Sequence, residues 1–388
     1  MSKIEELIKE KCPNGVEFRR LEECCNILDK KRKPVTKSAR EAGEYPYYGA
    51  NGIQDYVSDY IFDGTFVLVG EDGSVILPNG TPVVTWAEGK IWVNNHAHII
   101  EAIDDVDLRY MYHFLQTVYV GDLIHGNIPK LNQGDFRQVE VAVPPIEVQQ
   151  EIVRILDNFT ELEAELKAEL DARKMQYKYM LENILLLTDV EEYTLEEVFE
   201  MKNGYTPSKN SEEFWVDGTI DWFRMEDIRA NGRYLNDSIQ KITSKAVKKS
   251  GLFKANSIAL STSATIGEHA LLEVDCLTNQ RFTVFTPKKE FESVVNMEYM
   301  NYYFEEIDRW CLKHLNQGNF ASVDMEALKK YRFPLPSITE QKRIVYILKK
   351  FDIICNDFTM GLPAEIEARH KQYEYYREKL LTFERKVV

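Results

Sequence analysis

The stretch YPYYGANGIQDY, at residues 45–56, combines aromatic rings, side-chain amides and glycines. The amides of Asn51 and Gln54 can pair with the edge of an adenine base, and the neighbouring glycines allow a backbone to approach a ligand closely. The same pattern also suits a strand, a turn and a second strand whose tyrosines fill a core. Both interpretations stay open, and the candidate base contacts are Tyr47, Tyr48 and Asn51.

Two local clusters of basic residues could bind phosphate groups. The first spans residues 30–40 and contains no acidic residue, and the second spans residues 229–254 with only Asp237. The chain as a whole carries a net charge of −15, which alone argues against nucleic-acid binding, and solvated loops are the alternative for each cluster. The candidate phosphate contacts are Lys30, Lys31, Arg32, Lys33 and Lys37 in the first cluster and Lys245, Lys248 and Lys249 in the second.

Other polar segments are weaker candidates for ligand contacts. The loop GNIPKLNQGDF, at residues 126–136, contributes Lys130, but its counterpart GNFASVDMEAL, at residues 318–328, has no basic or amide residue at the matched positions. The segment NQRF, at residues 279–282, contributes Asn279 and Arg281, and Arg224 completes the candidates in the second half.

Catalytic motifs are missing from the sequence. It contains no GxxxxGK[ST] loop for a nucleotide, no GxGxxG opening a helix after a strand, and no GxSxG elbow. It also lacks an asparagine or aspartate followed by two prolines and an aromatic residue, the signature of amino-methylating enzymes. His96 and His98 could share one face of a strand, but no third metal ligand is evident, so we expect no metal site. The sequence therefore favours recognition over reaction.

Composition also limits the compartment. The six cysteines show neither CxxC nor zinc-site spacing, which favours reduced thiols in a cytosol. No run of 18 apolar residues is present, and the N-terminal residues are charged rather than apolar. We therefore expect a cytoplasmic protein without a membrane span.

An internal repeat organises the whole chain. Residues 143–159, VPPIEVQQEIVRILDNF, are similar in sequence to residues 333–352, FPLPSITEQKRIVYILKKFD. Residues 172–186, ARKMQYKYMLENILL, are similar in the same way to residues 368–383, ARHKQYEYYREKLLTF. Each pair lies in a stretch of helical periodicity that follows a different block of mixed character. The sequence predicts globular domains at residues 1–143 and 190–335, and long helices at residues 144–189 and 336–388.

The two helices should pack against each other. The first should begin after Pro144 and Pro145 and reach about Leu186, so its roughly 40 residues would span roughly 60 Å. A helix of this length with one apolar stripe needs a partner, and the second helix, interrupted near Pro363, supplies it by running back antiparallel. A dumb-bell with an approximate twofold axis follows.

We therefore predict an α+β protein in which two mixed α/β domains are separated by a long antiparallel two-helix coiled coil, with a pseudo-twofold internal repeat. Predicted strands cover residues 66–69, 83–86, 91–93 and 97–100 in the first block, and 258–261, 270–274 and 282–285 in the second. Predicted helices within the blocks cover residues 108–117 and 297–310.

The repeated helical segments and the opening CPNGVEFRRLEE resemble specificity subunits of type I restriction–modification systems, over the whole length of the chain. The resemblance implies a non-catalytic subunit that reads double-stranded DNA, with one target-recognition domain for each half of a split site. It also implies two methyltransferase subunits and restriction–translocase subunits as partners. S-adenosylmethionine, ATP and magnesium would belong to those partners, and this chain would hold no cofactor.

Two other functions stay open on the residues alone. A coiled-coil scaffold that binds proteins would make the basic clusters incidental, and a nuclease could carry an unrecognised site. Repeated polar residues on the helices could dock the methyltransferase subunits or simply face solvent. These candidate docking residues are Gln176, Lys178, Gln372 and Glu374.

Overall fold

The computed structural model describes residues 3–73, 75–103, 105–185, 190–316, 321–357 and 359–386. They form two compact units: unit 1 comprises Met1–Ala168 and Ala364–Val388, and unit 2 comprises Glu169–Pro363. Within the described ranges, no helix combines the length and the apolar composition that a membrane span requires.

Unit 1 is built on a six-stranded sheet. Its elements are α1 (Lys3–Lys11), β1 (Glu17–Arg20), α2 (Leu21–Cys24), β2 (Cys25–Ile27), β3 (Ala42–Gly49), β4 (Gly52–Val57), β5 (Phe62–Gly70), β6 (Val84–Val93), β7 (Ala97–Ala102), α3 (Leu108–Leu115), β8 (Ile124–His125), β9 (Lys130–Leu131), α4 (Gln133–Arg137), β10 (Glu140–Val143) and the first part of α5 (Ile146–Leu185). The strand order in the main sheet is β2-β7-β5-β6-β3-β4. All its pairs are antiparallel except β3 with β6.

Strand β6 corrects one expectation from the sequence. Residues 83–86 and 91–93 were predicted as separate strands, but they are the two ends of β6. The ladder with β5 runs without a break from Phe62 opposite Ile91 to Val69 opposite Val84. Gly89 has a φ of +79°, which residues with a side chain rarely adopt. The glycine therefore allows the strand to continue through a segment whose sequence is typical of a turn.

Helix α3 covers one face of this sheet. Asp107 caps it by accepting hydrogen bonds from the backbone N–H groups of Arg109 and Tyr110. Tyr110 and Met111 are fully buried in a core that also contains Val67 of β5 and residues of α5. Burial of an apolar side chain such as Met111 or Val67 stabilises the fold by about 1.5–3 kcal/mol.

Unit 2 has a related plan, but its main strands form two sheets in place of one. Its elements are the last part of α5, β11 (Glu192–Thr194), α6 (Leu195–Val198), β12 (Phe199–Asn203), β13 (Ile220–Phe223), α7 (Met225–Asn231), β14 (Tyr234–Leu235), β15 (Lys241–Ile242), β16 (Ser257–Ser261), β17 (His269–Leu272), β18 (Leu277–Thr278), β19 (Phe282–Pro287), α8 (Met297–Lys313), α9 (Met325–Lys329), β20 (Arg332–Pro334) and α10 (Ile338–Asn356). Helix α11 (Leu362–Leu381) follows, and nearly all of it belongs to unit 1. The main sheet has the order β12-β19-β16-β17-β14, and a smaller sheet has the order β15-β13-β18. The strand predicted at residues 270–274 ends earlier, at Leu272.

Each unit closes with the same junction. In unit 1, β1 pairs with β10, and the Tyr110 hydroxyl donates to the Ala142 carbonyl at 2.9 Å. In unit 2, β11 pairs with β20, and the Tyr299 hydroxyl donates to the Pro334 carbonyl at 3.2 Å. The internal repeat of the sequence is therefore a repeat of tertiary contacts.

The long helices pack antiparallel within each unit. In unit 1, Phe159 of α5 stacks on Tyr376 of α11 with ring centroids 5.3 Å apart, and Glu163, one turn later in α5, meets the earlier residue His370 at 3.2 Å. In unit 2, Tyr177 of α5 packs on Phe351 of α10. The predicted interruption near Pro363 is confirmed, because α10 ends at Asn356 and α11 begins at Leu362. The predicted end of the first helix, Leu186, lies outside the described residues.

Candidate nucleic-acid interface

A cleft of about 590 Å³ opens at one end of the unit 1 sheet, where several loops meet. The β3–β4 turn, the segment after β5, the turn before β7 and the β8–β9 hairpin all contribute to it. Its lining residues are Ala50, Asn51, Gln54, Asp72, Gly73, His96, Ile128 and Lys130. The structure thus brings together two of the predicted contacts, Asn51 and Lys130, from segments that are far apart in the chain.

Gln54 also lines the cleft; its amide was noted in the sequence, but only Asn51 was chosen as a candidate base contact. Its exposed amide lies across the backbone of Gly49, where an added Cβ would sit 2.0 Å from the Gln54 Nε2 atom. The Asn94 Nδ2 atom donates to the Gln54 Oε1 atom at 3.4 Å. Gly49 therefore gives Gln54 the room to hold an oriented amide at the cleft. The glycine and amide content of residues 45–56 was the available signal.

The hairpin tip adds an apolar surface. Ile128, between β8 and β9, is 70% exposed beside Lys130. Ile128 was not predicted as a contact from the sequence, because single exposed isoleucines are common on protein surfaces. Next to a polar cleft, it offers an apolar contact of the kind that the methyl group of thymine makes.

A buried network of charges lies beneath the cleft. The His98 Nδ1 atom is 2.7 Å from Asp29, and its Nε2 atom is 2.9 Å from the Leu131 carbonyl. Arg32 donates from Nη1 to Glu71 at 2.6 Å. Burial raises the pKa of the Asp29 carboxyl, but the hydrogen bond from His98 and the positive charges of His98 and Arg32 outweigh it, and the net shift is downward. The network ties the cleft loops to the sheet.

The two histidines of this region lie in different environments. His98 lies in β7 and is fully buried, whereas His96 lies in the preceding turn, at the cleft, and contacts Asp72. Asp29, Glu71 and His98 are close enough to share a cation. Arg32 already places its guanidinium against both carboxylates, at 3.4 Å and 2.6 Å, so we assign the three residues a structural role.

The first basic cluster divides into buried and exposed members. The Arg32 side chain is only 11% exposed. The other candidates in this cluster, which are Lys30, Lys31, Lys33 and Lys37, are exposed. Tyr47 is 1% exposed, and its hydroxyl accepts from the Val35 N–H at 3.0 Å, so it anchors the basic loop from below. Tyr48 is buried in the core, which favours the alternative of a strand–turn–strand with core tyrosines.

Unit 2 anchors its basic cluster in the same manner. The Tyr205 hydroxyl accepts from the Lys248 N–H at 2.8 Å and donates to the Ala246 carbonyl at 3.1 Å. The Lys248 ammonium lies 4.1 Å from the Tyr205 ring centre. Lys245, Lys248 and Lys249 are all exposed, and Lys245 pairs with Glu213 at 3.0 Å. A tyrosine hydroxyl thus fixes a lysine-bearing loop in each unit.

The remaining candidates of unit 2 lie in two turns. Asn279 and Arg281 belong to the turn between β18 and β19, and Arg281 is exposed. Arg224 is half-buried, with its guanidinium 5.5 Å from the Trp222 ring centre. The counterpart of the unit 1 hairpin includes residues 317–320, which lie outside the described residues.

The candidate docking residues repeat a local contact. Arg173 donates to Gln176 at 3.1 Å, and Arg369 donates to Gln372 at 3.0 Å. Both glutamines are exposed. The other two candidates differ: Lys178 is exposed beside Tyr177, and Glu374 is half-buried, 3.6 Å from His370.

Comparisons with known proteins agree with one another. The family model described as the type I restriction modification DNA specificity domain matches residues 13–172 and 188–368. A putative type I restriction enzyme specificity subunit of Haemophilus influenzae is 34% identical over 95% of this chain and 96% of its own length. The EcoR124I/EcoR124II specificity subunit of Escherichia coli is 37% identical over 71% of each chain.

A solved structure shows the same fold. The S subunit of a type I restriction–modification system from M. genitalium aligns with a TM-score of 0.53 and 15% identity, covering 95% of this chain and 96% of that chain. Two matched domains, full-length relatives and a shared fold lead to one conclusion: the chain belongs to the family of type I restriction–modification specificity subunits.

Proposed function

We propose that this chain is the non-catalytic subunit that reads a bipartite DNA target, with one half-site for each unit. The observation that carries the proposal is a repeated frame with different exposed residues. Both units share the junction of paired strands and the tyrosine-anchored basic loop. Their reading surfaces differ, with Asn51, Gln54 and Lys130 in one and Arg281 in the other. Similar frames with different side chains suit two different short sequences.

The gap between the half-sites would be set by the helices. Helix α5 has 40 residues, so it spans roughly 60 Å at about 1.5 Å per residue. One turn of DNA rises about 34–36 Å, which puts the half-sites between one and two turns apart. The base pairs between them would remain unread.

Partners would complete the complex. The repeated arginine–glutamine contact on α5 and α11 could seat two identical methyltransferase subunits, with restriction–translocase subunits binding afterwards. S-adenosylmethionine, ATP and magnesium would bind to those subunits, and the assembly would act in the cytoplasm. Because the chain carries a net charge of −15, we expect it to bind DNA weakly by itself and tightly within the complex.

Selection from a random duplex library tests the proposal. The chain with its methyltransferase partner should enrich two short sequences at a fixed separation. Insertion of four residues after Ala168 in α5 should change the gap and leave both half-sites unchanged, whereas the same insertion after Glu290, in an exposed turn, should change neither. Altered half-sites after the α5 insertion would refute the spacer. A library without any enrichment would favour the protein scaffold.

A further inference from the structure

A short turn of unit 1 is held by a specific set of hydrogen bonds. The Asn94 Oδ1 atom accepts from the His96 N–H at 2.8 Å, and the Asn94 N–H donates to the Tyr48 carbonyl at 3.1 Å. The His96 carbonyl accepts from the Glu71 N–H at 2.8 Å. The turn thereby bridges β3 and the end of β5 before the chain enters β7. Its backbone is fixed on both sides.

Unit 2 contains the same set of bonds around Asn279 and Arg281. The Asn279 Oδ1 atom accepts from the Arg281 N–H at 2.9 Å, and the Asn279 N–H donates to the Phe223 carbonyl at 3.0 Å. The Arg281 carbonyl accepts from the Thr262 N–H at 3.0 Å. The residues before the two turns also correspond. Val93 pairs with Tyr48 in parallel strands, and Thr278 pairs with Phe223 in parallel strands.

The contacts below the two turns support this equivalence. Asp29 follows Leu21 by eight residues, as Asn203 follows Leu195 in the second copy of the repeat. Asp29 hydrogen-bonds to His98, two residues after His96, at 2.7 Å. Asn203 accepts from the hydroxyl of Thr283, two residues after Arg281, at 2.9 Å. The backbone frame is common, and the side-chain pair beneath it is buried and ionisable in unit 1 but neutral in unit 2, where Asn203 is exposed.

We propose that His96 and Arg281 occupy equivalent positions and that each determines one base of the half-site read by its own unit. This inference rests on the proposed function. Both side chains are exposed at the end of a fixed turn, and the His96 side chain, 46% exposed, lines the cleft with Asn51 and Lys130. A fixed backbone holds its side chain at a defined position relative to a bound duplex, and base readout requires such a position.

The two side chains present different chemistry. Arginine donates two hydrogen bonds to the O6 and N7 atoms of guanine. The His96 Nδ1 atom contacts the Asp72 carboxylate, which only accepts hydrogen bonds when ionised, so the proton of a neutral ring lies on Nδ1. The Nε2 atom then accepts, which suits the amino group of adenine or cytosine. Unit 2 would therefore read a guanine where unit 1 reads an adenine or a cytosine.

Exchange of the two residues tests the inference in the full chain with its methyltransferase partner, by selection from a random duplex library. His96→Arg should move one position of the unit 1 half-site towards guanine by on the order of tenfold. Arg281→His should remove a guanine preference of similar size from the other half-site. His96→Gln provides a second variant of the same position. The gap and the untouched half-site should stay as in the wild type.

Matched controls make the same changes elsewhere. His370→Arg, on α11, and Arg332→His, on β20, alter exposed residues outside the two turns and outside the cleft, and they should leave both half-sites unchanged. Unaltered preferences in His96→Arg and His96→Gln, or changes in both half-sites, would overturn the inference. A wild-type complex that selects no bipartite sequence would instead overturn the proposed function, so the two failures are distinguishable.

Discussion

Replacement of Gln149 by leucine should strongly destabilise unit 1. This glutamine lies in the first turn of α5 and is fully buried. Its Oε1 atom accepts from the Asp107 N–H at 2.8 Å, and its Nε2 atom donates to the carbonyls of Asp105 at 3.1 Å and Pro144 at 2.8 Å. Leucine has a similar size but makes none of these bonds, so three backbone groups lose their partner.

The cost follows from those three groups. A buried donor or acceptor without a partner costs about 1–3 kcal/mol. The lower half of that range applies here because two residues beside these groups, Asp105 and Pro145, are exposed to solvent. For three groups we therefore expect about 3–6 kcal/mol for Gln149→Leu. The adjacent Gln150 is exposed, and Gln150→Leu should change the stability by less than about 0.5 kcal/mol.

Hydrogen exchange is the suitable assay, because a chain with two units need not unfold in one step. Amides of β1 and β10 report on unit 1, and those of β11 and β20 report on unit 2. Since about 1.4 kcal/mol corresponds to a factor of ten, Gln149→Leu should accelerate exchange in unit 1 by about 10²- to 10⁴-fold and leave unit 2 unchanged.

The repeat offers a mirror experiment. Gln341 is buried in the same way and bonds to Asn296 at 2.7 Å, Val294 at 2.8 Å and Pro336 at 2.7 Å. Gln341→Leu should therefore affect unit 2 alone, with the exposed Lys342 as its control. An acceleration below tenfold for Gln149→Leu relative to Gln150→Leu would refute the reasoning.

Two further predictions concern the contact between α3 and α5. Arg109 donates to Asp157 at 2.8 Å, whereas the corresponding contact of unit 2 has the charges reversed, with Glu298 against Lys349. Arg109→Glu should cost about 1–3 kcal/mol in unit 1, and Asp157→Lys should recover part of it, as a double-mutant cycle by hydrogen exchange would show. Burial lowers the pKa of His113 below its ordinary value of 6.5, although the hydrogen bond and the charge of Asp157 oppose that shift. At His113 the unfolded chain therefore binds more protons than the folded chain below pH 6.5, so the free energy of unfolding should fall as the pH drops from 6.5. This fall should be smaller in His113→Gln. Equal losses of stability in the two proteins, measured by acid denaturation, would contradict the argument.

Several features could be predicted because they depend on neighbours in the chain. The apolar spacing after Pro144 and Pro145 predicts the start of α5, and the sequence GLP predicts the interruption before α11. The repeat predicts that both units share a frame. All of these signals are periodic or local, and helices and turns are formed by local contacts.

The binding surfaces were less predictable. Asn51 and Lys130 were identified by residue type, and the structure places both at one cleft. Arg32 and Tyr47 were selected on the same grounds, but they lie in the interior. His96 was considered only as a metal ligand, and its place in the turn became evident from hydrogen bonds to residues far away in the chain.

The sequence by itself determined the family, the repeat and the long helices. The helices follow from apolar spacing that recurs within a few residues, and the repeat and the family follow from whole segments that occur twice in the chain. Only the tertiary structure decided which basic and aromatic side chains face solvent and which lie in the core. The physical reason is that burial and ion pairing depend on segments brought together by folding. Asp29 meets His98, and Gln149 meets Asp107, only after the sheet and the helices have packed.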